Sequence, residues 1–312
     1  MKALVTGGGG FIGSALVHEL AGRGFSVTSF SRGDYPELHH IGVIMKRGDL
    51  TDIDSVLNAC DGVDIVFHVA AKVGIWGSYK EYYSTNVLGT ENIVRACLER
   101  NVKWLIYTSS ASVVFDGTDI EGSDESLPYP SRPLSHYAAT KALAEKCVLK
   151  ANSACLKTIA LRPHIVLGTG DNHLVPRIIA QAKAGKLRRI GNGKNKTDIS
   201  YIKNLVAAHL CAAEAIRNNP DASGKAYFIS NGEPVFLWEH INIILKDAGI
   251  NPITKAVPER AAYIFSVLME FFYNILMIKK EPRLTRFLVR ELSRSHWFDI
   301  SAARKMLDYN PE

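Results

Sequence analysis

Through the first half of the chain, short apolar runs typical of buried strands alternate with segments whose apolar residues recur at helical spacing. Such alternation predicts a parallel, doubly wound α/β sheet, because parallel strands are joined by crossover helices. The predicted strands are a run from Lys2, Ser26–Phe30, a run that ends at Gly48, Val63–Val69, Lys103–Thr108 and Lys157–Leu161.

The pattern loosens after Pro163, which predicts a second, smaller lobe over the carboxyl edge of the sheet. We place the first domain at residues 1–165, with a returning segment at about 196–216, and a mainly substrate-binding lobe at 166–312. The polar stretch Asp116–Arg132 is predicted to be a loop. Elements predicted in the second half are helices Leu174–Ala184, Tyr201–Ile216 and Trp238–Ala248 and a strand at Ala226–Ser230.

Ala261–Ile278 is unusually apolar for a helix, since its distinctly polar members, Ser266, Glu270 and Asn274, form one thin stripe. Its length is borderline for a membrane span, and Glu270 in the middle would be costly there. Three placements stay open: a buried or lid helix, a helix on a membrane surface, and a dimer contact. The segment Lys279–Arg294 that follows has six basic residues against two acidic ones, which favours an anionic membrane surface.

Composition narrows the class of protein. The 312 residues are 47% hydrophobic and 22% charged, as in ordinary globular proteins. Five scattered cysteines without a C-x-x-C motif predict a reduced cytoplasmic protein with neither a disulfide framework nor a metal site. We expect no signal peptide, and no nucleic-acid partner, because no nucleic-acid motif accompanies the formal charge of +6.

The first strand runs into a glycine-rich turn that opens a helix. Gly7, Gly10 and Gly13 fall three apart, and Gly8 to Gly13 satisfies G-x-G-x-x-G. In this context the motif predicts a Rossmann dinucleotide site, where the pyrophosphate approaches backbone N–H groups at the helix start. The predicted cofactor contacts are Gly7, Gly10, Phe11, Ile12 and Gly13.

The second strand ends at Ser31-Arg32, where an acidic residue would select NAD by binding the ribose 2′-hydroxyl. A hydroxyl and a guanidinium suit a 2′-phosphate instead, so NADP(H) is favoured over NAD(H). Asp49, after the third strand, is predicted to accept a hydrogen bond from adenine, to cap the helix Ile53–Cys60, or both.

Polar groups follow two further strands. His68 is predicted to be a packed residue, not a catalytic base, and the small Ala70 allows close approach of a cofactor. The loop Lys72–Tyr79 either shapes a substrate mouth or covers the core. Ser109, Ser110 and Ser112 follow the fifth strand, where open α/β sheets bind ligands.

Two chemically important side chains share one face of the next predicted helix, which Ser135 can cap. They are Tyr137 and Lys141, four residues apart. Asn86 lies in an earlier predicted helix, where an amide usually points to solvent or weakens the helix.

Together these motifs resemble the extended short-chain dehydrogenase/reductases over nearly the whole chain. Within that superfamily the chain is similar to the 3β-hydroxysteroid dehydrogenase branch, and more narrowly to bacterial 2-alkyl-3-oxoalkanoate reductases of long-chain olefin biosynthesis. The motifs that carry the resemblance include Thr6–Gly13, Gly48-Asp49-Leu50, Asn86–Thr90, Thr108-Ser109-Ser110, Tyr137–Lys141, Arg162-Pro163, Gly170–Leu174 and Ala226–Pro234. Relatives continue into a final helix, so the resemblance implies chain beyond Glu312.

The resemblance implies roles for these residues in carbonyl reduction. Tyr137 would protonate the new alkoxide, and Lys141 would favour the phenolate and hold the nicotinamide ribose. Ser110 would hydrogen-bond the substrate oxygen, with Ser109 and Ser112 as alternatives. Asn86 would support a proton relay through water. Leu50, Ala70, Lys141 and Pro163 complete the implied cofactor contacts.

The leading hypothesis is an NADPH-dependent ketoreductase of long-chain 2-alkyl-3-oxo acids, because Ser31-Arg32 suits NADPH and the apolar helix suits an alkyl chain. A 3β-hydroxysteroid or sterol dehydrogenase would prefer NAD, and a sugar-nucleotide epimerase or dehydratase would need polar groups for a diphosphate. A non-catalytic NADP-binding protein could lack the tyrosine or the lysine, whereas this chain has both Tyr137 and Lys141. The family implies a homodimer through the helices of Asn86 and Tyr137; contact with a membrane or an olefin-pathway enzyme stays open.

Overall fold

The computed structural model describes residues 1–312, and its first half alternates strand and helix as expected. In chain order this half contains β1 (Lys2–Thr6), α1 (Phe11–Gly22), β2 (Ser26–Ser31), α2 (Pro36–His39), β3 (Ile44–Arg47), α3 (Ile53–Ala59), β4 (Ile65–His68), α4 (Tyr79–Tyr82), a π-helical segment (Tyr83–Leu88), α5 (Gly89–Glu99), β5 (Trp104–Thr108), a 3₁₀ turn (Ala111–Val114), β6 (Ile120–Ser123), α6 (His136–Lys150) and β7 (Lys157–Pro163).

The second half has shorter strands and longer helices. It contains β8 (Val166–Leu167), α7 (Leu174–Lys183), β9 (Arg189–Ile190), β10 (Lys196–Thr197), β11 (Ser200–Tyr201), α8 (Ile202–Asn218), a 3₁₀ turn (Pro220–Ala222), β12 (Lys225–Ile229), β13 (Val235–Phe236), α9 (Leu237–Asp247), β14 (Ala256–Val257), α10 (Glu259–Ile275), α11 (Arg286–Ser293), β15 (His296–Phe298) and α12 (Ser301–Leu307).

Seven parallel strands form the central sheet in the order β12-β7-β5-β4-β1-β2-β3. This arrangement confirms the predicted doubly wound α/β fold. The strand order reverses between β1 and β4, and the carboxyl ends of these two strands border the crevice in which such sheets bind ligands.

Helices cover both faces of the sheet because both faces of its strands are apolar. On one face, Leu16 and Val17 of α1 share a buried cluster with Leu205 of α8. On the other, Val56 of α3 and Ile93 of α5 belong to a second cluster. Helix α8 therefore packs on the sheet although it follows the start of the second lobe in sequence.

The stretch Asp116–Arg132, predicted to be a loop, contains strand β6. This strand pairs in parallel with β15, close to the end of the chain, within a four-stranded sheet of order β13-β10-β15-β6. The loop prediction was wrong for these residues because the pairing partner lies far away in sequence, and only the tertiary structure supplies it.

Helix α10 packs through a narrow side that includes Ala262 and Ser266, while most of its apolar side chains are exposed. A buried position for this helix was therefore wrong. No helix in the structure combines the length and apolar composition needed to span a bilayer.

One buried ion pair joins helix α6 to strand β7. The guanidinium of Arg162 donates to Glu145 through Nε, at 3.1 and 3.0 Å, and through Nη2 at 2.7 Å. Both side chains are almost fully buried, and the Tyr129 hydroxyl donates to the same carboxylate at 2.7 Å. Several hydrogen bonds thus compensate the desolvation of the two charges.

Replacing Arg162 by methionine leaves a buried carboxylate without its partner. We expect Arg162→Met to lower the free energy of unfolding in urea by about 3–5 kcal/mol. The matched control is Arg95→Met, which breaks an exposed ion pair with Glu99, one turn away on α5. It should lower the free energy of unfolding by only about 0.3–0.5 kcal/mol. Equal, small effects of both substitutions would contradict the structural role of the buried pair.

Candidate active site

The turn after β1 brings two backbone segments unusually close together. Gly7 adopts a φ of +71° and donates its N–H to the Phe30 carbonyl at 2.8 Å. A Cβ on Gly7 would lie 2.9 Å from the Cα of Ala70, and one on Gly13 would lie 2.1 Å from the Gly7 carbonyl oxygen. Both glycines are therefore required by backbone contacts at the sheet's switch point.

Gly10 differs from these two glycines because its missing side chain leaves open space. It precedes α1, is exposed, and a Cβ there would have only the Gly7 carbonyl oxygen nearby, at 3.3 Å. The first turn of α1 carries no acidic residue. The helix start with Phe11 and Ile12 thus fits the pyrophosphate of a dinucleotide, which unpaired N–H groups and the helix dipole would attract.

Two arginines lie together where β2 and β3 end. Ser31 pairs with Arg47 in the sheet, and Nε of Arg47 donates to the carbonyl of Arg32 at 2.8 Å. Both arginines are exposed. The sequence pointed to Arg32 but missed Arg47, whose position became evident only from the pairing of the two strands.

One predicted role of Asp49, capping the following helix, was wrong. Its carboxylate accepts hydrogen bonds from the backbone N–H and the hydroxyl of Thr51, at 2.9 and 2.8 Å. These bonds, together with nearby Arg32, hold the pKa of Asp49 below its usual value despite partial burial. The cap of α3 is Asp52, whose side chain accepts from the Asp54 N–H. Asp49 remains placed near the end of β3, as the predicted adenine contact requires.

His68 is completely buried and hydrogen-bonded at both ring nitrogens. Nδ1 lies 2.8 Å from the Thr6 hydroxyl and Nε2 lies 3.0 Å from that of Thr90. Burial, with a smaller effect of Lys141, lowers the pKa of His68 to about 3. The ring is therefore neutral, and the prediction of a packed histidine, not a base, is confirmed.

Asn86 is buried, so the expectation that its amide points to solvent was wrong. It lies in the π-helical segment, and its side chain accepts from the N–H of Lys72 at 2.7 Å and donates to the carbonyl of Lys72 at 3.1 Å. It also donates to the Thr140 hydroxyl at 3.1 Å. Asn86 therefore joins the loop after β4 to helix α6.

Tyr137 lies in the first turn of α6, which Ser135 caps as predicted by accepting from the Ala138 N–H at 3.1 Å. Burial raises the pKa of Tyr137 to about 12; the nearby Ser110 hydroxyl opposes this shift, and Glu291 and Tyr82 add to it. The structure therefore places Ser110, among the three candidate serines, beside the phenol.

The other two serines make different contacts. The Ser112 hydroxyl lies 2.9 Å from that of Ser110. Ser109 is buried, and its hydroxyl has no hydrogen-bond partner.

Lys141 is buried one turn after Tyr137, but its ammonium is bonded elsewhere. Nζ donates to the Thr108 carbonyl at 2.5 Å and lies 4.1 Å from the centre of the Tyr107 ring. Burial lowers the pKa of Lys141 to about 7, although Glu145 opposes this shift. In this arrangement the ammonium is held by a strand-end carbonyl, and the action of Lys141 in favouring the phenolate stays a prediction.

Thr108 is itself fixed from the second half of the chain. Its hydroxyl lies 2.8 Å from Nε2 of His209, while Nδ1 of His209 is 2.8 Å from the Leu205 carbonyl. Burial lowers the pKa of His209 to about 4, so this ring is neutral and accepts from Thr108. Sequence reasoning missed His209 because a histidine within an apolar helix gave no sign of its partner.

The loop Lys72–Tyr79 contacts the segment that follows α10. The indole N–H of Trp76 donates to the Ile278 carbonyl at 3.1 Å, and its ring packs edge-on against Tyr273. The Tyr82 hydroxyl donates to the Trp76 carbonyl at 3.1 Å. The loop therefore packs against the end of α10, and both of its predicted roles stay open.

Glu291 is a further carboxyl group near Tyr137 that sequence reasoning missed. It lies on α11 and is half-buried. Desolvation raises its pKa to about 7. Its position within the basic segment Lys279–Arg294 gave no sign in the sequence that it would lie near Tyr137.

This geometry combines a fitted dinucleotide turn with a phenol, a serine and a buried lysine at the carboxyl edge of a parallel sheet. It defines a nucleotide-dependent oxidoreductase of the extended short-chain type. The sequence profile of the 3-beta hydroxysteroid dehydrogenase/isomerase family matches residues 4–257. The chain belongs to that family.

Characterised relatives cover almost the whole chain. The 2-alkyl-3-oxoalkanoate reductase of Shewanella oneidensis is 45% identical over 99% of this chain and 82% of the relative. That of Stenotrophomonas maltophilia is 46% identical over 100% and 95%. The decarboxylating sterol-4-alpha-carboxylate 3-dehydrogenase of Mus musculus is 34% identical over 99% and 86%.

Solved structures agree on the fold. MoeE5 in complex with UDP-glucose and NAD has a TM-score of 0.75 and 25% identity, covering 100% of this chain and 94% of MoeE5. The chain is thus an NAD(P)-dependent oxidoreductase that acts on CH–OH or C=O groups.

Lys141 provides a test of the buried site that needs no substrate. Its pKa falls from 10.5 in the unfolded chain to about 7 in the folded one. Between these values the unfolded chain holds a proton that the folded chain has lost, so stability rises with pH. Relative to Lys141→Met, the wild type should gain up to about 1.4 kcal/mol per pH unit in this window.

The measurement is urea unfolding of wild type, Lys141→Met and the exposed control Lys150→Met on the same helix. We expect Lys150→Met to parallel the wild type across the window. A pH-independent difference between wild type and Lys141→Met would show that Lys141 is not desolvated.

Proposed function

We propose that this protein reduces a long-chain 2-alkyl-3-oxoalkanoate to the 2-alkyl-3-hydroxyalkanoate with NADPH. The observation that carries the proposal is the identity of 45% and 46% to two 2-alkyl-3-oxoalkanoate reductases over nearly the full chain. The arrangement of Tyr137, Ser110 and Lys141 supports it.

A dinucleotide held by the glycine turn would supply the hydride for the C3 carbonyl carbon. As negative charge develops on the carbonyl oxygen, Ser110 donates a hydrogen bond to it and Tyr137 transfers its phenolic proton. The C=O π bond is broken, one C–H and one O–H bond form, and the phenolate regains a proton from solvent. Nζ of Lys141 donates to the Thr108 carbonyl, and in this proposal the same ammonium would also bind the nicotinamide ribose.

The protonation state of Tyr137 is consistent with a proton donor. With a pKa raised to about 12, the phenol is protonated at neutral pH and can transfer its proton to the more basic alkoxide.

Arg32 and Arg47 support NADPH as the cofactor. Two guanidinium groups at the ends of β2 and β3 present several N–H donors where a ribose 2′-phosphate would lie. The carboxylate of Asp49 at this edge is engaged by Thr51, and that of Asp34, two residues after Arg32, accepts from the Tyr35 N–H and lies 3.3 Å from His39. A 2′-phosphate would thus meet positive charge.

The sterol relative gives the second candidate a specific chemical basis. The names of both kinds of relative place a carboxylate on the carbon adjacent to the reacting C3 position. An enzyme that recognises this shared unit could instead oxidise a 3-hydroxy-4-carboxysterol. Cofactor preference and direction separate the two candidates.

Removal of the proton donor tests the proposal directly. We expect purified protein to oxidise NADPH with 2-alkyl-3-oxo acids, with kcat/KM rising as the alkyl chains lengthen. Tyr137→Phe should lower kcat by about 10²–10⁴-fold, whereas the exposed Tyr83→Phe control should retain wild-type kcat. No turnover of these acids, together with NAD-dependent oxidation of a 3-hydroxy-4-carboxysterol, would replace the leading proposal by the second.

The cofactor preference has its own test. Arg32→Ala should raise the KM for NADPH about tenfold, because one charge-assisted hydrogen bond to the 2′-phosphate is lost. The KM for NADH should stay unchanged. Arg100→Ala, at an exposed position after α5, is the matched control. Equal effects of Arg32→Ala on both cofactors would contradict recognition of a 2′-phosphate.

A further inference from the structure

Helix α10 exposes a broad apolar face. The exposed fractions of Phe271, Phe272, Leu276 and Met277 are 57%, 56%, 64% and 86%. The exposed apolar residues on α10 and at its end are Ile264, Phe265, Val267, Leu268, Phe271, Phe272, Ile275, Leu276 and Met277. They occupy about half of the helix circumference at 100° per residue. A contiguous patch of this kind marks an interaction surface.

The acidic residues of α10 are turned away from this face. Glu259 is bonded to Arg290 and Arg294, and Glu270 accepts from both the N–H and Nε of Arg286, each at 2.7 Å. The apolar face therefore carries no free carboxylate.

Cations without an acidic partner lie at both ends of the helix. Arg260 is exposed in its first turn, and Lys279, Lys280 and Arg283 are exposed just beyond its end. None of these four forms an ion pair within the chain. Their charges are thus available to an external anionic partner.

We propose that the exposed face of α10 binds to an anionic membrane surface, with the helix lying in the plane of the interface. An apolar stripe would enter the headgroup boundary while the flanking cations meet lipid phosphates. The face is a convex helix surface, not a groove, which suits a deformable bilayer. A second copy packed face to face would bring the basic ends of two helices together, an arrangement that like-charge repulsion opposes.

The apolar face adjoins the loop Lys72–Tyr79 that follows β4. The Trp76 indole N–H from this loop donates to the Ile278 carbonyl, between the apolar face and Lys279. A membrane bound to α10 would therefore lie next to this loop. The binding itself does not depend on which reaction the protein catalyses.

Vesicle flotation with the full chain tests the proposal. We expect wild type to float with vesicles of phosphatidylcholine and phosphatidylglycerol in equal parts, and much less with phosphatidylcholine alone or at high salt. Phe271→Ser/Phe272→Ser should weaken the partition coefficient by about tenfold or more. Lys279→Glu/Lys280→Glu should weaken it by about tenfold or more on the anionic vesicles only.

Matched controls separate this face from general surface properties. Ile243→Ser replaces an exposed apolar residue on α9, and Lys150→Glu an exposed lysine on α6; both should float like wild type. Circular dichroism melting verifies that each variant is folded. Wild type that stays unbound with both vesicle types, or folded Phe271→Ser/Phe272→Ser that floats normally, would overturn the proposal. A dimer that this double variant converts to monomers, without vesicles, would assign the face to a second copy instead.

Discussion

The buried ion pair between Glu145 and Arg162 determines how helix α6 lies on the sheet. Two desolvated charges stabilise a fold only in a precise geometry, and here the guanidinium donates through two nitrogens while Tyr129 adds a third donor group. The pair fixes the rotation of α6 about its axis. Lys141 and Tyr137 lie one and two turns earlier on the same face, so their direction towards the carboxyl edge depends on this contact.

The polar groups around the cleft form a directional set of hydrogen bonds. The Thr90 hydroxyl donates to the Asn86 carbonyl at 2.6 Å, so it accepts from Nε2–H of His68, whose Nδ1 in turn accepts from Thr6. Thr6, His68 and Thr90 each have a hydrogen-bond partner while the imidazole of His68 stays neutral. This series of hydrogen bonds connects the end of β1, next to the glycine turn, with helix α5, which faces α6. It needs no buried charge.

Local signals in the sequence were sufficient for the parallel sheet and the glycine turn. Strand-helix alternation and the spacing of Gly7, Gly10 and Gly13 reflect short-range requirements that each segment carries by itself. Long-range pairing was not accessible in this way. Strand β6 forms only because β15 pairs with it, and Asn86 is buried only because Lys72 and Thr140 receive its amide.

The same distinction applies to the site. The positions of Tyr137, Lys141 and Arg32 followed from motif spacing, but Arg47, His209 and Glu291 come near them only through tertiary contacts. The hydrogen-bond acceptor of the Lys141 ammonium, the Thr108 carbonyl, could not be predicted from the sequence either. A lysine one turn from a tyrosine suggests a direct effect on the phenol, whereas the fold supplies a strand-end carbonyl that competes for the ammonium.

The bond between Trp76 and the Ile278 carbonyl has a mechanical consequence. It ties two segments about two hundred residues apart in sequence, and Tyr82 braces the first of them from the helix below. A displacement of the end of α10 would therefore strain the loop after β4, because the indole and the hydroxyl hold the two segments to the same backbone.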